Sequence, residues 1–276
     1  MFSLNCKGKL LVIDKPLVMG IINVTPDSFY EGSRLQTNDA VLSHAKKMIE
    51  DGADIIDIGG QSTRPGSKRI TIKEELQRVL PAIEIIIKNL ADTIISVDTY
   101  YAEVAEETIN AGASIINDIS TGNMDAAMLS AVAKLQVPYI CMHLKGTPDT
   151  MQQQPAYENV TREVLDFFIA KIDECVRAGI HDIIIDPGFG FGKTISDNFT
   201  LLKELPVFKM LEKPILAGLS RKSTIYKTLH ITSDKALNGT TVLNTLALQN
   251  GANILRVHDV KEAKEAITLY SKYAEA

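Results

Sequence analysis

One pattern of hydrophobic and polar positions recurs along the chain: a helical stretch, a glycine, and a short apolar run that ends in polar residues. It occupies residues 48–62, 109–120, 176–190 and 248–259. The glycine of each segment stands where a helix needs a left-handed residue at its C-terminal end; these are Gly52, Gly112, Gly179 and Gly251. The apolar runs are nearly continuous and rich in Ile, Val and Leu, which is typical of parallel strands buried on both faces.

Four further apolar runs of similar length lack the glycine, at residues 17–23, 93–98, 137–143 and 214–220. Eight strands that alternate with helical stretches predict an α/β fold, a single (β/α)8 TIM barrel over residues 1–276 with its active site at the C-terminal ends of the strands. A doubly wound open sheet is the alternative, although eight similar units favour closure. We expect the residues before Leu17 to form a short strand pair at the barrel bottom, and Asn38 to cap a helix over residues 38–51.

The composition narrows the class of protein. A chain of 276 residues that is 45% hydrophobic and 23% charged is typical of a globular protein. Its three widely separated cysteines exclude a disulfide framework and a Cys-x-x-Cys metal site. No long apolar stretch and no signal peptide stand out, so we expect no membrane association and a cytoplasmic location. The net charge of -5 argues against nucleic-acid binding, but a local cluster of cations could still bind a small anion.

Residues able to hydrogen-bond or carry charge stand at the end of every predicted strand. Asp, Asn, Ser and Thr at such positions also cap the helix that follows, which is the alternative interpretation for each one alone. Capping does not explain why Arg221, Lys222, Arg256 and His258 converge in an acidic protein, because helix N-termini disfavour cations. The last strand carries Arg256 and His258 two residues apart, so both can point to the same side of the barrel mouth. There the Arg256 guanidinium could hold phosphate oxygens through two donors at once.

The glycine-rich run at residues 187–194 does not fit a known nucleotide motif. It resembles a phosphate-binding loop, but Pro187 stands where the first glycine is required, and no dinucleotide fingerprint fits either. We interpret it as a loop with unusual backbone angles that carries Phe191 against a flat ligand. The histidines never pair at metal-ligand spacing, and Ser220 lacks the context of a nucleophile.

The candidate site residues divide into two chemical groups. Asp98 and Asp186 accept hydrogen bonds only, and with Asn117 they suit the donor-rich edge of an amino-pyrimidine. The cations of the last two strands, with Asn23 and Thr63, suit a phosphate. Oxygen atoms of Asn23 and Asp27 could also reach a Mg²⁺ ion that keeps most of its waters. The residues therefore predict a barrel that binds a polar heterocycle on one side and an anion on the other.

Seven motifs together resemble the dihydropteroate synthase family over nearly the whole chain. They are MGIINVTPDSF (19–29), DIGGQSTRPGS (57–67), SVDTY (96–100), IINDIS (115–120), DPGFGFGK (186–193), GLSRKS (218–223) and RVHD (256–259). The resemblance implies the condensation of 6-hydroxymethyl-7,8-dihydropterin diphosphate with 4-aminobenzoate to 7,8-dihydropteroate in folate synthesis. It also implies a target of sulfonamides, which mimic the aminobenzoate. One departure is Gln61, where many relatives carry Glu.

The resemblance also implies a role for each matching residue. Asp98, Asn117, Asp186 and Lys222 would hold the pterin, with Met142 and Arg64 also at the substrate. Thr63, Arg256 and His258 would bind the diphosphate, and Asn23 would ligate Mg²⁺. The aminobenzoate site would be lined by Phe191, Lys222 and Ser223 and by two lid loops, which contain Thr25, Pro26, Asp27, Ser28, Phe29 and Ser62. The family resemblance further implies a homodimer through the later helices.

The implied mechanism is a largely dissociative substitution. The dihydropterin ring can stabilise a cation at its exocyclic methylene, so that diphosphate leaves, assisted by Mg²⁺, before the amine attacks. The residues expected to contribute to catalysis are Asp98, Lys222, Arg256 and His258. Two alternatives remain open: a pterin-dependent methyltransferase on the same barrel, which has no need for the diphosphate residues, and a pterin-binding protein without activity.

Overall fold

The fold is an eight-stranded parallel barrel surrounded by helices. The computed structural model of the chain describes residues 1–25, 34–61, 69–146 and 156–276, excluding the side chains of residues 34–37. Two N-terminal strands pair as an antiparallel hairpin, β1 (Phe2–Cys6) and β2 (Lys9–Ile13). The barrel strands are β3 (Leu17–Asn23), β4 (Ile55–Gly59), β5 (Ile95–Asp98), β6 (Ile115–Asp118), β7 (Tyr139–Met142), β8 (Ile183–Asp186), β9 (Leu216–Ala217) and β10 (Ile254–Val257).

Helices follow the barrel strands in the alternating order that the hydrophobic pattern predicts. They are α1 (Arg34–Glu50), α2 (Ile72–Asn89), α3 (Ala102–Asn110), α4 (Met128–Leu135), α5 (Val160–Ala178), α6 (Ile195–Lys203), α7 (Ser223–Thr228), α8 (Leu237–Gln249) and α9 (Val260–Glu275). Short 3₁₀ turns cover Leu205–Leu211 and Ser233–Lys235. No helix within the described ranges is long and apolar enough to cross a membrane.

The order of the strands confirms the barrel. The neighbours in the sheet run β8-β7-β6-β5-β4-β3-β10-β9. A parallel bridge between Ile185 and Ile215 and the Ile185 N–H to Pro214 C=O hydrogen bond of 3.0 Å join the two remaining edges. All eight apolar runs form strands, so the predicted fold class is confirmed and the open sheet is not what forms.

The glycines that end helices adopt the backbone conformation expected of them. The φ angles of Gly52, Gly112, Gly179 and Gly251 lie at +102°, +121°, +96° and +100°. The predicted start of the first barrel helix was wrong, because α1 begins at Arg34 and Asn38 lies inside it. Residues 34–36 (Arg, Leu, Gln) are good helix formers, so nothing in the apolar spacing marks the true first turn.

The lower half of the barrel interior is an apolar plug. Inward-facing residues from seven of the eight strands pack there against the hairpin; they are Leu17, Met19, Ile55, Ile115, Ile140, Ile184, Leu216 and Ile254 from the strands and Leu4, Cys6, Leu11 and Ile13 from the hairpin. The hairpin therefore closes the bottom, as predicted. A second apolar cluster fills the space between the strands and the surrounding helices.

One level higher, the inward positions change from apolar to polar. Asp57 and Ser96 are register partners on β4 and β5, and both are fully buried. Asp98, Asn117 and Asp186 follow at the C-terminal ends of their strands, also buried. Because buried polar groups are costly unless they are hydrogen-bonded, this layer must be held together by contacts among its own members.

Candidate active site

Strand register brings three candidate residues and Gly59 to one level of the barrel mouth. Asn23, Gly59, Asp98 and Asn117 are consecutive register partners across β3, β4, β5 and β6. Register partners on neighbouring parallel strands face the same side of the sheet. Gly59 carries no side chain, and a Cβ atom there would lie 3.5 Å from both Asn23 Oδ1 and Asp98 Cβ. The metal candidate Asn23 and the pterin candidate Asp98 therefore border the same space.

An ion-pair network crosses the barrel beneath this level. Arg256 donates from Nε to Asp57 Oδ2 (2.7 Å) and from Nη2 to Asp98 Oδ2 (2.6 Å). Asn117 donates from Nδ2 to the same Asp57 oxygen at 3.2 Å. Asp57 is fully buried, and removing it would leave the charge of Arg256 only partly compensated.

The network changes the expected use of Arg256. Two of its three guanidinium nitrogens are engaged by carboxylates, and Nη1 has no partner among the described residues. The ion pairs therefore leave the two N–H groups of Nη1 as the guanidinium donors for a phosphate, while Nε and Nη2 stay with the carboxylates.

The two pterin candidates Asp98 and Asp186 have raised pKa values. Burial raises the pKa of Asp98 to about 7, opposed by the Arg256 cation and assisted by the neighbouring charge of Asp57. Burial also raises the pKa of Asp186, and the Lys222 ammonium opposes this shift. Asp186 Oδ1 accepts the Gly188 backbone N–H at 2.8 Å. In both carboxyl groups, burial favours the protonated form and a nearby cation favours the ionised form.

Lys222 lies between Asp186 and the loop that follows β8. Its Nζ donates to the Phe189 carbonyl at 2.6 Å and lies 4.6 Å from the centroid of the Phe191 ring. A Cβ atom on Gly218 would be 3.5 Å from this Nζ and 4.0 Å from Asp186 Oδ2, so both groups face the space that Gly218 leaves open. Burial lowers the pKa of Lys222 to about 8, while the Asp186 carboxylate counteracts the shift.

The glycine-rich loop has the unusual backbone that its sequence predicts. Gly188, Gly190 and Gly192 have φ angles of +69°, +82° and +58°. A Cβ atom on Gly188 would stand 2.0 Å from the His143 carbonyl oxygen, so no other residue fits there. The buried Lys193 holds the loop together, with its Nζ 2.9 Å from His143 Nδ1 and 3.0 Å from the carbonyl oxygens of Gly188 and Phe191.

His258 lies at the mouth with one ring nitrogen fixed. The Ser220 hydroxyl accepts the His258 backbone N–H at 3.2 Å and lies 3.0 Å from Nδ1. A hydroxyl that already accepts a hydrogen bond can donate its proton to Nδ1, which places the proton of the neutral imidazole on Nε2. Partial burial and then the Arg256 cation lower the pKa of His258, so the ring is neutral at pH 7.

Comparison with known proteins identifies the family. The sequence model described as "Pterin binding enzyme" matches residues 19–258. The dihydropteroate synthase of Escherichia coli is 44% identical over 96% of this chain and 94% of its own length. A crystal structure of the Yersinia pestis dihydropteroate synthase with a sulfonamide drug covers 100% of both chains with a TM-score of 0.94 and 40% identity.

The chain belongs to the dihydropteroate synthase family. A further solved structure is that of the Xanthomonas albilineans dihydropteroate synthase with 4-aminobenzoic acid, which has a TM-score of 0.92 and 42% identity and covers 99% of this chain and 98% of the other. The resemblance found in the motifs is thereby confirmed, and with it the assignment to the transferases.

The remaining residues expected at the site fall into three groups. Met142 lies buried on the inner face of β7 as the register partner of Asp186, and Ser223 is the first residue of α7. Arg221 was wrongly expected to converge on the site, because its guanidinium turns away to bind both Asp259 oxygens at 2.8 Å. Some predicted positions lie outside the described residues: Pro26, Asp27, Ser28, Phe29, Ser62, Thr63 and Arg64.

Two buried charged residues beside the site were missed from the sequence, Asp57 and Lys193. Asp57 interrupts the apolar run of β4, and a carboxylate in a strand buried on both faces signals an inward partner. Lys193 directly follows the glycines, but nothing local shows that its ammonium turns back into the loop. Asp57 could therefore have been found from the sequence pattern of its strand, whereas the position of the Lys193 ammonium could not.

Proposed function

We propose that this protein condenses 6-hydroxymethyl-7,8-dihydropterin diphosphate with 4-aminobenzoate to give 7,8-dihydropteroate and diphosphate. The observation that carries the proposal is the polar layer above the apolar plug, where Asp98, Asn117 and Asp186 present hydrogen-bond acceptors beside the cations Lys222 and Arg256. The relatives with sulfonamide and with 4-aminobenzoic acid, at 40% and 42% identity, support the same assignment.

The pterin occupies the deep part of the mouth. Asp186 and Asp98 accept its amino and ring N–H groups, Asn117 faces the same edge, and Met142 supplies an apolar contact. The ammonium of Lys222 faces a ring oxygen or nitrogen acceptor. Such charge-assisted hydrogen bonds are each worth about 1.5–3 kcal/mol.

The diphosphate lies above, toward His258. Arg256 Nη1 and the Nε2–H of His258 donate to its oxygens, and Thr63 belongs to this group by its family motif. Asn23 would hold Mg²⁺, because a single exposed amide oxygen suits an ion that keeps several waters and binds mainly through substrate phosphates. When bound, the ion would neutralise part of the diphosphate charge.

The reaction then proceeds by substitution at the exocyclic methylene carbon. Its bond to the diphosphate oxygen breaks, and the electron pair leaves with that oxygen, where Arg256 and His258 stabilise the added negative charge. Asp98 in its ionised form faces the cation that develops on the dihydropterin. The amine nitrogen of 4-aminobenzoate forms the new bond to carbon and afterwards releases a proton to solvent or diphosphate.

The aminobenzoate site borders Phe191, Lys222 and Ser223. The two loops that include Thr25, Ser62 and Arg64 complete it in this proposal, which makes aminobenzoate binding dependent on bound diphosphate. The cytoplasmic location remains a prediction, as does the homodimer. Exposed apolar side chains on α8 and α9 support the dimer: Val242, Leu246, Leu269 and Tyr273.

The test is direct synthesis by the purified protein. We expect 7,8-dihydropteroate to form from the pterin diphosphate, 4-aminobenzoate and Mg²⁺, and to disappear when any one of the three is withheld. If the protein binds bare pterin but forms no dihydropteroate, it is a pterin-binding protein without this activity, and the proposal is refuted.

A further inference from the structure

Asp57 is the most buried charged group of the polar layer, and no step of the reaction uses it. It sits on β4 two residues before Gly59, one level below Asn23 and Asp98. We propose that Asp57 is a positioning residue that sets the direction of the Asn117 amide and of the Arg256 guanidinium, and so determines which hydrogen-bond pattern the site offers to a heterocycle. This inference rests on the proposed function.

The first step concerns the Asn117 amide. A carboxylate can only accept hydrogen bonds, so an amide that touches Asp57 Oδ2 must turn its NH₂ group toward it. The Asn117 Nδ2 atom lies 3.2 Å from that oxygen, and Asn117 Oδ1 has no partner among the described residues. The amide oxygen is therefore left to face the ligand as an acceptor, and its orientation is fixed from below.

The second step concerns Arg256. Asp57 Oδ2 lies 2.7 Å from Arg256 Nε and 2.6 Å from Nη2, while Asp98 contacts Nη2 only. Asp57 therefore binds the Nε–Nη2 edge of the guanidinium from below, inside the barrel. Within the described part of the chain, the second carboxylate oxygen of Asp98 and the Nη1 atom of Arg256 have no hydrogen-bond partner.

Together these contacts fix which groups of the site accept hydrogen bonds from the ligand. With the Asn117 oxygen, Asp98 and Asp186 all accepting, the site suits a heterocycle with an amino group and discriminates against one with an oxo group in the same place. A pterin carries an amino group at position 2, and lumazine carries an oxo group there. Without the Asp57 carboxylate the Asn117 amide could rotate and donate to that oxo group.

The experiment measures calorimetric affinities for 6-hydroxymethylpterin and for lumazine. Asp57→Asn keeps the side-chain volume but lets both amides rotate. We expect pterin affinity to fall about tenfold and the preference for pterin over lumazine to fall by a similar factor, since one ordered acceptor is lost. In an Asn117→Ala background, Asp57→Asn should change pterin affinity by no more than about threefold, because the amide that it positions is gone.

A matched control is Ser96→Ala. Ser96 is the register partner of Asp57, is equally buried, and has no hydrogen-bond partner for its hydroxyl within the described ranges. Its loss should leave both affinities and their ratio unchanged. A structural effect of disturbing this level of the barrel would appear in Ser96→Ala as well.

A second variant reverses the pair. In Asp57→Asn combined with Asn117→Asp, the new amide donates upward and the new carboxylate again offers an acceptor to the ligand. We expect this double variant to regain most of the preference for pterin over lumazine, even if Asp57→Asn alone unfolds. Failure to regain it, or equal losses from Asp57→Asn in both Asn117 backgrounds, would overturn the role of Asp57.

The outcomes separate the two proposals. If the unchanged protein does not bind 6-hydroxymethylpterin or make dihydropteroate, the proposed function fails. If it does both and Asp57→Asn leaves the ligand preference unchanged, the proposed function stands and Asp57 is only a structural counter-charge.

Discussion

The two ends of the barrel interior are filled by opposite kinds of side chain, apolar at the bottom and polar at the top. At the bottom, isoleucine, leucine and methionine side chains of the strands pack against a hairpin and form an apolar plug. At the top, Asp57, Asp98, Arg256 and their neighbours occupy the inward-facing positions instead of apolar residues. The plug contributes stability through burial of apolar area, whereas the polar layer is costly to bury and is held by its own ion pairs.

The comparison indicates that successive inward-facing residues of a strand have different roles. Ile55 and Asp57 face inward two residues apart on β4, as do Ile254 and Arg256 on β10. The deeper residue of each pair packs against apolar neighbours, and the outer one is available for chemistry. Substitutions at the bottom should therefore change stability without changing the reaction, and substitutions of the ion-paired residues at the top should change both.

The largest effect is expected from Arg256→Gln at the top. It leaves the Asp57 and Asp98 carboxylates without their cation, which should lower the free energy of unfolding by about 3–5 kcal/mol. Turnover should fall by about 10²–10³ because a donor to the leaving group is lost. Because Asp98 also loses the cation that pairs with its carboxylate, affinity for bare pterin should fall as well. Chemical denaturation, steady-state kinetics and calorimetry measure the three quantities.

The matched control is Arg177→Gln. Arg177 forms an exposed ion pair with Asp173 on α5, and such pairs contribute about 0–1 kcal/mol. Arg256→Gln with unchanged unfolding energy would show that the network does not compensate the buried carboxylates, and the contrast between top and bottom would be lost.

Ile184→Ala should have a large effect on stability alone. Ile184 is fully buried in the plug, and its truncation should cost about 2–5 kcal/mol from lost burial and the cavity left behind. At a temperature where the variant remains folded, turnover and pterin affinity should match those of the unchanged protein. A variant with normal stability but reduced turnover would reverse the roles of the two ends.

A smaller effect concerns pH at the top of the barrel. Burial raises the pKa of Asp98 to about 7, with the Arg256 cation opposing the shift. The ionised form is the one that faces the developing cation, so kcat/KM should rise with pH through about 7. Protonated Asp98 is favoured by the fold, so its contribution to stability is present below the unfolded pKa and is lost as pH rises through about 7.

The pH profile of Asp98→Asn provides the comparison. This variant should be slow at every pH and should lack the acidic limb of the profile. An unchanged limb in Asp98→Asn would assign it to another group, such as the buried Lys193, whose pKa burial lowers to about 7.

The sequence predicts the bottom of the barrel better than the top for a physical reason. Strands such as Leu17–Asn23 and the helix-ending Gly179 are recognised from local patterns, because burial and backbone angle are local requirements. The contacts of Asp57 depend on the register of β4, β6 and β10, which lie far apart in the chain. No local pattern shows that its carboxylate meets both Asn117 and Arg256.

Neighbours in sequence also diverge at the top. Arg221 and Lys222 were expected together, but Arg221 has a φ angle of +54° and its side chain leaves toward Asp259, while Lys222 enters the barrel. Family motifs identify Asp186 and Lys222 without this knowledge. They do not give the direction of a side chain, and that direction decides which cation faces the site.

The most direct test of the account is pterin binding to Asp186→Ala. Asp186 ends β8, and its Oδ2 faces the space that it shares with the Lys222 ammonium. We predict that the unchanged protein and Ile184→Ala bind 6-hydroxymethylpterin equally well by calorimetry. Asp186→Ala should remain folded and lose about 2–4 kcal/mol of binding free energy, because a charge-assisted acceptor is removed. Equal pterin affinity in Asp186→Ala and the unchanged protein would contradict the claim that the polar layer is the pterin site.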